Sequence, residues 1–197
     1  MNYLAHLHLA DVANSDMLGN LLGDFAKGDP SKQYSLEIVQ GIRLHRAVDK
    51  FVDTHGIVQA CKKRFPEQQR RFALIALDMF WDHCLAMHWH RYSDISLDSF
   101  VHYAQREVAK HDTKDLPPSF LLLNQRMWQG KWLQSYREMD NIEFALHRMS
   151  QRRPRLSPLS ECHATLQDEY EHFSSAFETL YADTLQFSCN QQKEFGL

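Results

Sequence analysis

The sequence has little of the two residues that most often interrupt regular structure. Its 197 residues include only 7 glycines and 6 prolines. These fall at isolated breaks, such as Gly28-Asp29-Pro30 and Pro117-Pro118, rather than in a linker. We therefore expect one domain over residues 1–190, followed by a frayed tail over residues 191–197.

Further absences narrow the class of protein. No run of about 18 apolar residues is present, so we expect no membrane-spanning helix. The four cysteines are far apart and form no CxxC pair, which argues against a zinc ribbon or a disulfide framework. A formal net charge of −3 gives no basic field of the kind that binds nucleic acid. With no signal-peptide pattern at the start, the sequence predicts a cytoplasmic protein that binds neither membrane nor nucleic acid.

What the sequence does have is helical periodicity. Apolar residues recur mostly at intervals of three and four, which predicts an all-α, single-domain helical bundle. The expected helices cover Leu4 to Leu9, about 15–27 with Ser15 as cap, roughly 35–54, a short stretch before Pro66, about 67–91, Leu97 to Lys110, Pro118 to Gln129, Asp140 to Gln151, and about 158–187.

Several of these helices carry ionisable residues on apolar faces. In "ALDMFWDHCLAMHWH", residues 76–90, Asp78 and Asp82 lie one turn apart in a segment that is apolar nearly all round. In "GIRLHRAVDKFVD", His45 and Asp49 are four apart and follow the apolar stripe. Asp24 lies beside apolar residues in "DMLGNLLGDFAKG". A buried carboxylate without a partner is costly, so each needs a base, a proton or a cation.

The excess of acid over base in this set favours a bound cation. Its members are Asp24, His45, Asp49, Asp78, Asp82 and His83. Mixed imidazole and carboxylate donors suit Mn²⁺, Fe²⁺, Zn²⁺ or Mg²⁺, and several carboxylates favour Mn²⁺ or Mg²⁺ over a closed structural zinc site. Two alternatives remain: ordinary hydrogen bonds for the histidines, and an ion pair of Asp49 with Arg43 or Arg46. His83 lies about 100° around the helix from Asp82, which makes it a flanking ligand or a general acid.

Basic residues are concentrated in two clusters. Such clusters are typical of solvated helix ends, and they also suit the docking of an acidic protein or a phosphate. The first comprises Lys62, Lys63, Arg64, Arg70 and Arg71, and the second comprises Arg152, Arg153 and Arg155.

Five separated motifs resemble one known family. "MNYLAHLHLA", "GNLLGDFAKG", "GIRLHRAVD", "LDMFWDHCLAMHW" and "SQRRPRL" are similar, in order and spacing, to the bacterial acyl-carrier-protein phosphodiesterases, also called ACP hydrolyases. The resemblance covers Met1 to about Leu156, and the remaining chain matches in length and pattern more than in residues.

The resemblance implies an all-helical fold, divergent from the HD-domain metal-dependent phosphohydrolases. It implies hydrolysis of the phosphodiester that joins 4′-phosphopantetheine to a serine of acyl carrier protein. It also implies a divalent metal ion, with Mn²⁺ favoured over Mg²⁺ or Fe²⁺. The carried-over metal residues are His6, Asp24, His45, Asp49, Asp78, Asp82 and His83. Here the core pair is Asp82-His83, the reverse of the usual His-Asp order.

The leading hypothesis is therefore a metal-dependent phosphodiesterase that acts on holo-acyl carrier protein. We expect Arg46 to stabilise charge on the phosphate, and His83 or His45 to protonate the leaving serine oxygen. One alternative is an HD-type hydrolase of a nucleotide or cyclic nucleotide. Another is a non-catalytic helical protein-binding module in which the acids are paired with arginines.

Overall fold

The computed structural model describes residues 1–194, and within that range it contains eleven α-helices and no strand. The all-α prediction is confirmed. The helices are α1 (Tyr3–Val12), α2 (Met17–Leu22), α3 (Leu36–Thr54), α4 (Gly56–Arg64), α5 (Ala73–Met87), α6 (Leu97–Ala109), α7 (Pro118–Gln129), α8 (Trp132–Ser135), α9 (Met139–Ser150), α10 (Cys162–Asp168) and α11 (Tyr170–Glu194).

Helix α5 runs through the centre of the hydrophobic core. Leu77, Phe80, Trp81 and Leu85 are all completely buried. The helix packs against α1, α9, α10 and α11, which explains why its sequence is apolar nearly all round. Any ionisable group on this helix must therefore find its partner inside the protein or at its edge.

Helices α2 and α3 approach each other closely through a pair of glycines. A Cβ on Gly41 would lie 2.7 Å from the Asp16 carbonyl oxygen and 2.9 Å from Cα of Gly19. Only glycine fits at this crossing, because a side chain at either position would push the helices apart. The close approach brings the end of α2, with Asp24 just beyond it, to His45 on α3.

Some helix boundaries differ from the predicted ones. The cap of α2 is Asp16 rather than Ser15, since the Asp16 carboxylate accepts a hydrogen bond from the Gly19 amide at 2.6 Å. The central helix begins at Ala73, not near residue 67. The segment after Pro66 forms turns instead, and the Arg70 side chain donates to the Phe65 carbonyl at 3.0 Å.

The helix predicted over 158–187 is divided in the structure. A 3-10 segment covers Pro154–Leu159, and α10 and α11 are separated by Glu169. Helix α11 continues to Glu194, into the segment expected to be frayed, and residues 195–197 lie outside the described residues. None of the helices described is long and apolar enough to cross a bilayer. The four cysteines are free thiols.

Candidate metal centre

The central feature is a cluster formed by one residue of α1 and two of α3. His45 and Asp49 are four residues apart, so they lie one turn apart on one face of α3. The His45 Nε2 atom lies 3.0 Å from Oδ2 of Asp49, and the His6 Nε2 atom lies 3.0 Å from Oδ1 of the same carboxylate. The two imidazole rings are stacked with centroids 3.8 Å apart. Asp49 is thus the hub that both histidines share.

Asp24 completes one side of the cluster. Its Oδ1 atom lies 3.3 Å from Nε2 of His45, so His45 stands between two carboxylates. The Asp24 side chain is 58% exposed, whereas those of His6 and His45 are 2% and 4% exposed. The buried histidines therefore form the base of the cluster, and Asp24 marks its open side.

Gly23 makes room for the His45 ring. A Cβ at position 23 would overlap the Cγ and Cδ2 atoms of His45. The imidazole consequently lies directly against the backbone that precedes Asp24. Sequence reasoning missed this residue, although a glycine immediately before a candidate ligand is a signal for close backbone approach.

Asp78 borders the cluster through the ammonium group of Met1. That group lies 2.6 Å from Oδ1 of Asp78 and 3.7 Å from Oδ1 of Asp49. Burial raises the pKa of Asp78, although the ammonium acts in the opposite direction. Asp78 thus lies near the shared carboxylate through the Met1 ammonium, which is its direct partner, and its expected role as a metal ligand stays a prediction.

The surroundings of the two histidines shift their pKa values in opposite directions. Burial lowers the pKa of His6 to about 4, and the neighbouring His45 acts in the same direction. Burial also opposes the charged form of His45, but hydrogen bonds to Asp24 and Asp49 outweigh it and raise the pKa to about 9. The pKa of Asp49 is held well below its usual range by the two histidines, despite burial.

The donor set suits a divalent cation. One ligand atom from each of His6, His45 and Asp49 lies within 4.8 Å of the other two. Two imidazole nitrogens with carboxylate oxygens form a mixed set that fits Mn²⁺, Fe²⁺ or Zn²⁺. The alternative of an Asp49–arginine ion pair is wrong, because the carboxylate is shared by His6, His45 and the Met1 ammonium.

The structure does not bring Asp82 to this cluster. Its carboxylate is completely buried and accepts hydrogen bonds from the backbone amides of Asn2, Leu4 and Ala5 at 3.3, 2.7 and 3.1 Å. Burial raises the pKa of Asp82 to about 7, against the effect of these N–H donors. Its oxygens are therefore occupied by the first turn of α1, and the expectation of a metal ligand needs correction.

His83 likewise has its own partners away from the cluster. Its Nδ1 atom lies 2.8 Å from the Tyr136 carbonyl oxygen and its Nε2 atom lies 2.9 Å from the Tyr170 hydroxyl. The carbonyl can only accept, so Nδ1–H donates to it and Nε2 accepts from the hydroxyl. Burial lowers the pKa of His83, which favours this neutral form. The expected roles as ligand or general acid are not supported by this placement.

Arg46 also has partners other than the three ligand residues. Its guanidinium donates to the carbonyl oxygens of Ala26 and Gly28, at 2.5 and 2.9 Å. Its guanidinium therefore fixes the loop that follows Asp24. The sequence had suggested that it would stabilise charge on the phosphate instead. Its influence on the cluster passes through the position of that loop.

The two basic clusters differ in how their charges are used. In the first, Arg64 pairs with Glu169 at 2.6 Å, Arg70 binds backbone carbonyls, and Arg71 lies 4.5 Å from the centroid of the Phe72 ring. In the second, Arg152, Arg153 and Arg155 are exposed. Within residues 1–194 these three form no ion pair.

Comparisons with known proteins agree with the motif resemblance. The profile of the family described as "Acyl carrier protein phosphodiesterase" matches residues 1–184. The chain is 42% identical over 193 residues to a protein of that name from Klebsiella pneumoniae subsp. pneumoniae, which covers 98% of this chain and 100% of the relative. Namesakes from Enterobacter sp. and Serratia proteamaculans are 42% and 41% identical over the same shares.

No solved structure was found to match the chain, so the kinship with HD-domain enzymes stays a prediction. The family assignment needs no such structure, because the profile match spans nearly the whole sequence and the relatives align from end to end. The chain belongs to the acyl carrier protein phosphodiesterase family.

Proposed function

We propose that this protein is a metal-dependent phosphodiesterase that hydrolyses holo-acyl carrier protein to apo-acyl carrier protein and 4′-phosphopantetheine. The observation that carries the proposal is the His6–His45–Asp49 cluster in a chain of this family. The same cluster argues against a binding module whose acids pair with arginines. Asp24, Asp49, Asp78 and Asp82 have no arginine partner among residues 1–194.

His6, His45 and Asp49 would hold a divalent cation, for which we favour Mn²⁺ over Mg²⁺ or Fe²⁺. Such an ion lowers the pKa of water and stabilises charge on phosphate oxygens. Nitrogen donors from two imidazoles argue against Mg²⁺, which prefers oxygen ligands. Asp24 and Asp78 border the three ligand atoms and add negative charge that would hold the cation.

The substrate would approach from the side of Asp24. The histidines close the base of the cluster, whereas Asp24 is its most exposed member. Burial raises the pKa of the Tyr3 hydroxyl, and the charges of Asp24 and Arg152 act on it in opposite directions.

We further propose that the carrier protein docks on Arg152, Arg153 and Arg155. Carrier proteins are acidic, and exposed guanidinium groups without partners bind carboxylates well. The cluster of Lys62, Lys63, Arg64, Arg70 and Arg71 suits this role less, because its arginines are already engaged. A cytoplasmic location follows from this choice of partner.

The test is to incubate the protein with holo-carrier protein and Mn²⁺ and to measure the carrier's mass. We expect a loss equal to the prosthetic group, which chelation of the metal ion prevents. Asp49→Asn should abolish the change, and Asp168→Asn should not, because Asp168 is an exposed residue outside the cluster. An unchanged carrier mass with the unaltered protein contradicts the proposal. Faster turnover of free nucleotides than of carrier protein would favour a nucleotide hydrolase instead.

A further inference from the structure

We propose that Asp82 is a positioning residue, which fixes His6 in the cluster by binding the amino-terminal turn of α1. This inference rests on the proposed function only in taking the His6–His45–Asp49 cluster as the metal site. Asp82 itself touches no member of that cluster in the described contacts, so its effect must pass through the backbone of α1.

The first step is the capping of α1 from a distant helix. The first N–H groups of an α-helix lack acceptors within the helix and carry partial positive charge. Asn2 occupies the cap position of α1, but its side chain accepts no capping hydrogen bond. The Asp82 carboxylate takes over this role, since it binds the amides of Asn2, Leu4 and Ala5. One buried side chain of α5 thus supplies what the N-terminal sequence lacks.

The second step joins the cap to His6. His6 directly follows Ala5, and its own amide donates to the Asn2 carbonyl at 3.0 Å. The backbone that carries the imidazole therefore belongs to the turn that Asp82 holds. Loss of the hydrogen bonds from the Leu4 and Ala5 amides to Asp82 would let this turn move. The Nε2 atom of His6, which lies 3.0 Å from Oδ1 of Asp49, would move with it.

The third step is the rigidity of the anchor. Asp82 is completely buried, and its neighbour His83 bonds to the Tyr136 carbonyl in the turn after α8 and to the Tyr170 hydroxyl at the start of α11. Both hydrogen bonds limit rotation of α5 about its axis. The Asp82-His83 pair therefore holds the amino-terminal turn of α1 in position. This role differs from that of a pair of metal ligands.

The test uses the metal-free protein first. The stacked rings of His6 and His45 give their imidazole protons ring-current shifts in NMR spectra, and His6→Gln identifies the His6 signal. Asp82→Ala should shift the His6 signal and speed amide exchange at Leu4 and Ala5. Asp82→Asn keeps one oxygen acceptor and should give a smaller shift. Ser96→Ala, which removes the cap of α6, is the matched control and should change neither.

Mn²⁺ titration of the same variants gives the second readout. Loss of a supporting interaction typically weakens metal binding about 10–100-fold. We expect that loss for Asp82→Ala, a smaller one for Asp82→Asn, and none for Ser96→Ala. Unshifted imidazole signals in both Asp82 variants would overturn the inference, whether or not Mn²⁺ binding changes. If the unaltered protein binds no Mn²⁺ while the Asp82 variants shift His6, the proposed metal function fails and the positioning role stands.

Discussion

The cluster on α1 and α3 and the Asp82-His83 pair on α5 contain the same residue types with opposite surroundings. In the cluster, two imidazoles share one carboxylate and a second carboxylate lies at the open side. In the pair, the carboxylate binds backbone amides and the imidazole binds a carbonyl and a hydroxyl. Aspartate and histidine on an apolar face thus indicate a metal ligand only where their partners are other ligand-type side chains.

The largest expected effect comes from removing the shared carboxylate. Asp49→Asn replaces one of the two carboxylate oxygens that contact His6 and His45 with an amide nitrogen, so the three-ligand set is lost. We expect no stoichiometric metal ion after equilibrium dialysis against Mn²⁺, measured by elemental analysis. The control Asp168→Asn should retain the ion, and equal metal content in both variants would show that the cluster is not the site.

Gly23→Ala should weaken Mn²⁺ binding nearly as much as Asp49→Asn, although it removes no ligand. The new Cβ would overlap the His45 ring and displace it from Asp24 and Asp49. We expect a fall in Mn²⁺ affinity of about 100-fold, the upper end of effects that act through ligand position. Gly56→Ala is the matched control, because nothing lies within 4 Å of a Cβ there. Equal affinities in the two variants would contradict the close packing of His45.

The pH dependence of metal binding follows from His45. Its pKa, raised from 6.5 to about 9, keeps a proton on the metal-free cluster at neutral pH. A metal ion that binds Nε2 must displace this proton, so affinity should rise by up to about tenfold per pH unit until about pH 9. Calorimetric titration at pH 7 in two buffers of different ionisation enthalpy should detect about one released proton. Binding without proton release would place the ion elsewhere.

The same proton links His45 to stability in the absence of metal. Because the folded-state pKa lies above the ordinary value of 6.5, the stabilisation is fully present below pH 6.5 and is lost as the pH rises through about 9. The pKa of His6, lowered to about 4, acts in the other direction: its contribution is present above 6.5 and is lost as the pH falls through about 4. Unfolding curves of the metal-free protein at these pH values measure both.

His83→Ala should separate stability from metal binding. It leaves the Tyr136 carbonyl and the Tyr170 hydroxyl without their partner. A loss of about 2–3 kcal/mol in unfolding free energy is expected, since buried polar groups cost about that much when unpaired. Mn²⁺ affinity should stay unchanged. A large loss of affinity without a loss of stability would restore His83 as a ligand.

Local spacing predicted part of this site. The four-residue interval of His45 and Asp49 placed both on one face of α3, and the acid excess indicated a cation. The partners of Asp82 and His83 could not be read in this way, because they are backbone and hydroxyl groups 53 to 87 residues away along the chain. His6 entered through the family resemblance, since no periodicity links α1 to α3.

In the fold too, local sequence patterns predicted some features, whereas features that depend on distant contacts were missed. Helices α3, α6 and α7 lie where periodicity and caps predicted them. The start of α5 differs from the prediction. The segment after Pro66 forms turns, in which the Arg70 side chain donates to the Phe65 carbonyl, and no apolar pattern reveals this contact. Gly23 shows the limit most clearly, since its role depends on where another helix places an imidazole ring.

The most direct test of the account is Mn²⁺ binding, followed by electron paramagnetic resonance, in two matched histidine variants. His45→Ala removes a member of the cluster, and His83→Ala removes a buried histidine that lies outside it. The account predicts that His45→Ala loses Mn²⁺ binding and that His83→Ala retains the affinity of the unaltered protein. Retention in His45→Ala with loss in His83→Ala would contradict it and would place the metal ion on α5.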